Sequence, residues 1–453
     1  MRYMVGVICV LALGVMGCSE TAGTGGRGGT AGNSGVGGDG GTGGTGGTGV
    51  PAVCPPLAEP DAGSTIIDVD PSEVGNLTGI VSSAKTGDTI RFASGTYDLD
   101  GVYMWISTPG VTLRSASGNR DDVVLDGNYQ STEIITVAAS DVTIADLTIR
   151  EAATHPIHVV STDSADTVNT LIYNVHIVDP REQAIKINPS QGGYFVDDGE
   201  IACSHIELTD TGRPNVQPNP GGCYTGGVDA HQASGWVIRD NVIEGFWCNT
   251  GLSEHAVHCW RGCRDTVVER NVLLNNARGV GFGLATSGSA RTYSGDPCPG
   301  VSGYVGHYNG IVRNNFIFAN DSALLSSPDG FDCGICFWSA CGARALHNSI
   351  VSTGDNFSSI EWRFSTSAGV EITNNIATHP LRERDGASAT VDGNLESAQL
   401  SLFVDGQNGN LHLDPGASAA IDQGVMIADG LSDDDIDGDA RDVNPDIGAD
   451  EVR

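Results

Sequence analysis

A unit of about thirty residues recurs between roughly residues 100 and 380, and this repeat leaves little choice of fold. "VTIADLTI" (Val142–Ile149), "TLIYNVHI" (Thr170–Ile177), "WVIRDNVI" (Trp236–Ile243), "TVVERNVL" (Thr266–Leu273), "GIVRNNFI" (Gly310–Ile317) and "ALHNSIV" (Ala345–Val351) are versions of one unit. Each carries an Asn or Asp at a turn: Asp146, Asn174, Asn241, Asn271, Asn315, Asn348 and then Asn375. Adjacent copies stand 27–33 residues apart, with 44 where a loop intervenes and 67 where one copy is degenerate. A period in this range is the mark of stacked supersecondary units sharing one continuous core. The units are rich in β-branched residues and Asn/Gly turns and lack helical periodicity, so they stack as strands. The expected fold is all-β, a solenoid whose coils each give two or three short strands about 4.8 Å from those above and below.

The ends of the chain are of different character. Arg2, the apolar run from Val5 to Val15 and "VMGC" ending at Cys18 read as an export signal over residues 1–17, too short to span a bilayer. It resembles a bacterial lipoprotein signal. That resemblance implies lipidation at Cys18 and anchoring to the cell envelope, with the outer membrane as the expected site. A plain cleaved secretory signal is the alternative. Residues 18–63 are largely Gly and Thr, the composition of a flexible tether. A solenoid is expected over 64–415, with a capping helix starting near Pro71-Ser72-Glu73 and carrying Leu77, Ile80, Val81 and Ala84 at helical spacing. An acidic C-terminal cap fills 416–453.

Beyond Cys18 there are ten cysteines, an even number that in an exported chain points to disulfides pinning long loops. Cys333 and Cys336, with Cys341 and His347 nearby, are the weaker alternative of a zinc site. The net charge of −33 excludes a nucleic-acid binder. Membrane contact is expected through the lipid alone, and the folded part is expected to be a monomer.

"GDTIRFASGTYDL", "GVTLRSAS" with "VVLDGN", and the Asn-turn units resemble right-handed parallel β-helix proteins of the pectin-lyase-like type. The resemblance implies that fold, and an activity on extracellular polysaccharide among the several that the fold hosts. "LHLDPGASAAIDQG" followed by "DDDIDGDARDVNPDIGADE" is similar to the choice-of-anchor Q module of bacterial surface proteins. Within it Asp433, Asp435, Asp437 and Asp439 have the alternate-carboxylate spacing of a calcium loop. The competing reading is an Arg441–carboxylate cap that closes the last coil.

Aligning coils on the turn residue gives a register. Ile157, Ile185, Val228, Val257, Val280 and Ile335 fall at equivalent inward positions, so the next residues point outward. That column reads His158, Lys186, Asp229, His258, Gly281, Cys336, and two residues on lies a parallel one with Asn188, His231, Trp260 and Trp338. Lys186 stands out because the chain has only one other lysine, Lys85. Removing the proton beside a uronate carboxylate needs a neutral base and a cation to hold the developing charge. Lys186 or His158 is the candidate base, with His231, His258 and Arg261 completing the catalytic set. Asn188, Trp260, Arg278 and Trp338 are the candidate substrate contacts. Asp229 with Glu254 is a candidate calcium site gripping a substrate carboxylate. The leading function is therefore lyase-type β-elimination on an acidic polysaccharide. Glycan binding or adhesion without turnover is the alternative, and a glycoside hydrolase using Asp229 and Glu254 is a second one.

Overall fold

The computed structural model describes residues 54–60, 63–217, 222–427 and 430–453. The signal segment, Cys18 and most of the Gly/Thr tether lie outside the described residues. The rest is an all-β parallel helix built from three long sheets of twelve, ten and eleven strands. Every neighbouring pair in these sheets is parallel and comes from successive coils. Each sheet stacks one aliphatic residue per coil toward the interior. In the twelve-stranded sheet Leu113, Ile144, Ile172, Ile201, Ile238, Val268 and Val312 pair in turn. In the eleven-stranded sheet Leu125, Ile149, Ile177, Ile206, Ile243 and Leu273 do the same. These residues are fully or almost fully buried. Strand alternation follows from the short apolar triplets of the repeat, and the stack buries them against their own kind.

The 67-residue gap is filled by a complete coil. Strands Glu200–Ala202 and His205–Glu207 occupy it, with Ser204 at the corner where other coils have Asn. The corner also corrects the sequence alignment by one residue. Asp146 and Asn174 have positive φ (57° and 49°), whereas in later coils that conformation belongs to Asp240, Arg270, Asn314, His347 and Asn374. Asn241, Asn271, Asn315, Asn348 and Asn375 are the following residues, and they turn inward. Two adjacent positions both favour Asn, one for the left-handed turn and one for hydrogen bonding, so the repeat merges them.

The inward asparagines form a buried ladder. Each side-chain oxygen accepts from the backbone N–H and the amide of the coil before: Asn241 onto Asn271 at 3.1 and 3.0 Å, Asn271 onto Asn315 at 2.9 and 3.0 Å, Asn315 onto Asn348 at 3.1 and 2.9 Å. The ladder continues through Asn375 to Asn394. Each amide also donates to a strand carbonyl one coil back, as Asn315 does to Val268 at 3.0 Å. The side-chain amides of the ladder are thus paired on both sides, which is the condition for burying them at all.

The first coil is covered as expected. Asp70 and Glu73 form a capping box before a 3₁₀ turn (Pro71–Asn76), and the helix Leu77–Ser83 buries Leu77 and Val81. The C-terminal segment differs from expectation, since it lies along the flank of the stack instead of closing its last coil. Arg270 pairs with Asp434 at 2.7 Å, Asn314 donates to the Asp434 carbonyl at 2.9 Å, and the Ala449 N–H bonds Ser349 Oγ at 3.1 Å. Arg441 is buried among the Gly448 and Asp434 carbonyls, Glu451 and Asn314 Oδ1, joining the segment's own loops to the stack.

Eight of the ten cysteines are paired: Cys54–Cys203, Cys223–Cys248, Cys298–Cys341 and Cys333–Cys336. Cys259 and Cys263 are buried free thiols, so the expectation of full pairing fails there. The zinc alternative fails as well. Cys341 is bonded to Cys298, and His347 lies elsewhere, its Nε2 accepting from Asn374 Nδ2 at 2.9 Å. His255 converges with Cys333 and Cys336, but those two sulfurs are bonded to each other.

Candidate active site

The outward residues of the ten-stranded sheet form one ridge. Register pairs run Trp105–Thr136–His158–Lys186–Asp229–His258–Gly281–Cys336–Glu361–Arg382. Residues from widely separated parts of the sequence thus become vertical neighbours because each coil repeats the same strand at the same place. His231 and Trp260 form a parallel pair two positions on.

Asp229 is the hub. Lys186 Nζ is in direct contact with its Oδ2, which also lies 3.1 Å from His231 Nε2. Its Oδ1 accepts from Trp260 Nε1 at 3.0 Å and faces His258 Nδ1 at 3.5 Å. Lys186 and Asp229 are only 6% and 3% exposed, so this is a buried pair and not a surface one. Burial alone would lower the Lys186 pKa, but the Asp229 carboxylate outweighs it and holds the ammonium above its usual range. Burial likewise opposes the Asp229 charge, yet Lys186, His231 and His258 keep that carboxyl well below its usual range.

The histidines of the ridge divide by partner. His258 is buried, yet the Asp229 and Glu254 carboxylates beside it push it up to about 9. Nε2 faces the Gly283 carbonyl at 3.2 Å, whereas Nδ1 lies 3.1 Å from Glu254 Oε2 and 3.5 Å from Asp229 Oδ1, in charge contact with both carboxylates but without hydrogen-bond alignment to either. Burial lowers His231, overriding the Asp229 pull, and its ring is neutral. His255 fills the space left by Gly281, where a Cβ would lie 2.5 Å from its Nε2. Burial holds it neutral, and neither of its nitrogens has a hydrogen-bond partner. His158 sits between Glu133 and Asn188, at 2.7 Å from each.

The remaining candidates separate. Trp260 is half-buried, edge-on to His231 at 4.8 Å and stacked on His258 at 5.4 Å, with the Arg261 guanidinium over its ring at 4.8 Å. Trp338 is a poor sugar platform: it is 7% exposed, bonded to Glu361 and covered by Arg278, which also pairs with Asp332 at 2.9 Å. Asn188 Nδ2 donates to Pro189 O at 3.2 Å, which fixes the amide so that its oxygen faces His158.

Neither calcium reading fits the donor sets. Calcium takes six or more oxygens, whereas both Asp229 oxygens already face nitrogen donors, and Glu254 faces His258. In the C-terminal loop, the Asp435 carboxylate accepts the N–H groups of Asp437, Asp439 and Glu451. Asp437 pairs with His412, Asp439 with Arg453, and Asp433 is exposed, so the four carboxylates do not converge. The alternate spacing serves a turn whose backbone donors need acceptors.

Tyr103, Trp105 and Glu133 also belong to this face, outside the candidates drawn from the repeat. "GVYMWIS" alternates outward aromatic with inward Met104 and Ile106, a usable signal that lay before the first recognised repeat.

The pKa shifts set a pH dependence. His258 is raised from 6.5 to about 9, so its stabilisation is full below 6.5 and is lost as pH rises through about 9. His155 and His307 are depressed to about 4 and about 3 by burial, so their contribution is full above 6.5 and is lost as pH falls toward those values. Urea midpoints are expected to be highest near neutrality and lower at both about pH 5 and about pH 10.

No family model and no curated protein matches the sequence. The solved structure of pectate lyase Pel9A is similar, with a TM-score of 0.50 at 14% identity, over 86% of this chain and 97% of that one. The chain shares the fold of that lyase. An alginate lyase from Paenibacillus sp. (TM-score 0.43, 15% identity, 74% and 98% covered) and the Streptococcus pneumoniae surface adhesin PfbA (0.39, 11%, 74% and 89%) are more distant. At these identities the likeness is one of architecture, and the site must be argued from its own residues.

Proposed function

We propose that this protein acts on an extracellular acidic polysaccharide by β-elimination at the ridge around Asp229. The observation that carries the reading is the contrast within one cluster: a neutral, half-buried His231 lies against a buried charge network of Lys186, Asp229 and His258. β-Elimination removes the proton beside a uronate carboxylate, spreads the developing negative charge onto that carboxylate, and then forms a carbon–carbon double bond as the glycosidic C–O bond at the β carbon breaks, the expelled oxygen taking up a proton from water. His231 is the group with a lone pair to take the proton. If its Nε2–H donates to Asp229, Nδ1 is the accepting atom. Lys186 has no such lone pair, since it stays an ammonium, and its role moves from base to charge stabiliser. The guanidinium of Arg261 lies over Trp260 beside the cluster, and in this reading it pairs with the substrate carboxylate.

The hydrolase reading is weaker on the same chemistry. It needs one carboxyl protonated as the acid, but Asp229 and Glu254 are both held below their usual ranges, against the effect of burial, by Lys186 and by His258 respectively. Glycan binding without turnover is the second reading, favoured by one fact: every polar atom of Asp229 is already satisfied inside the protein.

The test is to incubate the purified protein with alginate, polygalacturonate and glucuronan and follow the ultraviolet absorbance of an unsaturated uronate. Product is expected from the wild type, with kcat reduced at least ~100-fold in His231→Ala. Reducing ends without the chromophore would replace this reading by hydrolysis, and binding without product would replace it by adhesion.

A further inference from the structure

The ridge does not stop at His158. Two coils nearer the N-terminus it reaches Thr136 and then Trp105, beside a cleft of about 460 Å³ lined by Tyr103, Trp105, Gln130, Thr132, Glu133 and Thr136. Tyr103 and Trp105 are 48% and 46% exposed, and Trp105 is the one tryptophan among the exposed large hydrophobic residues described. Both project from the same face of one strand edge, because they stand two residues apart. A large aromatic left half in water, on the same face as a charged centre, needs a reason that the protein's own packing does not give.

We infer that this cleft binds an uncharged sugar ring of the same polysaccharide, several units along the chain from the reacting bond. The inference rests on the polysaccharide reading above and adds a second subsite with its own chemistry. Aromatic faces accept the C–H face of a pyranose, and the rim offers neutral hydrogen-bonding groups in Gln130 and Thr132, the usual make-up of a ligand cleft. The one charge in the lining is negative. Glu133 lies at its base with Oε1 against His158 and Oε2 accepting from Thr136 Oγ1 at 2.7 Å. Those bonds hold the carboxylate below its usual pKa against the effect of burial. No lysine or arginine lines the cleft, and His158 at its base is already taken by Glu133 and Asn188, so a uronate there would meet the Glu133 carboxylate with no free cation to receive it, whereas a neutral hexose would not.

Register fixes the separation. Trp105 stands four coils from Asp229, roughly 19 Å at about 4.8 Å per coil. Only a chain of several sugars reaches both places. The preferred substrate is then a heteropolysaccharide in which a neutral sugar lies several units from the uronate, not a pure polyuronate.

Affinity electrophoresis of the whole purified protein separates the outcomes, with gels containing either alginate or xanthan, a glucan that carries uronate. The wild type is expected to bind xanthan at least tenfold more tightly than alginate. Trp105→Ala should remove that preference while leaving alginate retardation unchanged, and Tyr103→Ala should weaken it in part. Both side chains are exposed, and unchanged thermal melts would show intact folds. Equal affinity of wild type and Trp105→Ala for xanthan overturns the subsite, as does equal wild-type affinity for the two polymers. Failure of the wild type to bind either polymer would instead overturn the polysaccharide reading, and the subsite with it.

Discussion

The Asp229→Asn protein is expected to lose about 3–5 kcal/mol of stability, the cost of leaving buried charge without its partner. Asp229 is the one carboxylate that Lys186 touches directly, and it also faces His258, His231 and Trp260. An amide in its place cannot balance an ammonium and an imidazolium held in the same pocket. The two cations would then repel, and one must shed its proton or the ridge must open. Lys186→Met should also be costly, because Asp229 would keep only the weaker donors. The double variant Lys186→Met/Asp229→Asn is the decisive one. It should be more stable than the sum of the singles implies, by at least about 1 kcal/mol, since the residues share one interaction. Urea denaturation of the four proteins measures this. Additive singles, each below about 1 kcal/mol, would mean that the pair behaves as an ordinary surface ion pair.

Asn315→Ala is expected to be nearly as damaging, for a different reason. Its removal leaves the Asn271 backbone N–H without its side-chain acceptor and the Val268 carbonyl without its side-chain donor, while the Asn271 amide keeps the Ile238 and Glu269 carbonyls. Each buried polar group so orphaned costs about 1–3 kcal/mol, giving a total of about 2–4 kcal/mol. A solenoid transmits such a loss mainly to adjacent coils. Hydrogen exchange should therefore accelerate in the coils around Asn271 and Asn348, while the strands at Leu113 and Ile144 keep their protection. Uniform acceleration along the chain would contradict nearest-neighbour stacking. Asn315→Asp tests the chemistry more finely, because it keeps the acceptor and loses the donor.

The fold was legible because a solenoid writes the same instruction many times. Val142, Ile144 and Ile149 say little alone, but their recurrence at thirty-residue intervals fixes strand, coil and stacking direction together. The same redundancy placed His158, Lys186, Asp229 and His258 in one column, as the observed register has them. What the repeat could not show was environment. That Lys186 is buried depends on neighbours contributed by other coils and loops, and its charge state follows from Asp229 being buried with it. Trp338 and Trp260 occupy equivalent-looking outward positions, yet only Trp260 stays half-exposed, because Arg278 and Arg363 lie over Trp338. Gly281 looked like an empty place in the column, and the ring of His255 occupies it from a loop that the repeat does not describe. The paired and free cysteines were likewise beyond pattern: Cys259 lies inside one strand and Cys263 opens the next, both buried, and parity alone assigned them to disulfides.

The proposed chemistry depends on protonation states held by burial and neighbours at one place on the ridge. The most direct measurement is the titration of individual histidine rings by nuclear magnetic resonance, with assignments from His231→Ala and His258→Ala. His258 is expected to remain an imidazolium through neutrality and to lose its proton at about 9, while His231 is already neutral at pH 7. A His258 that titrates near 6.5 in the folded protein, or a His231 that is charged at neutrality, would contradict both the charge network and the assignment of His231 as the base.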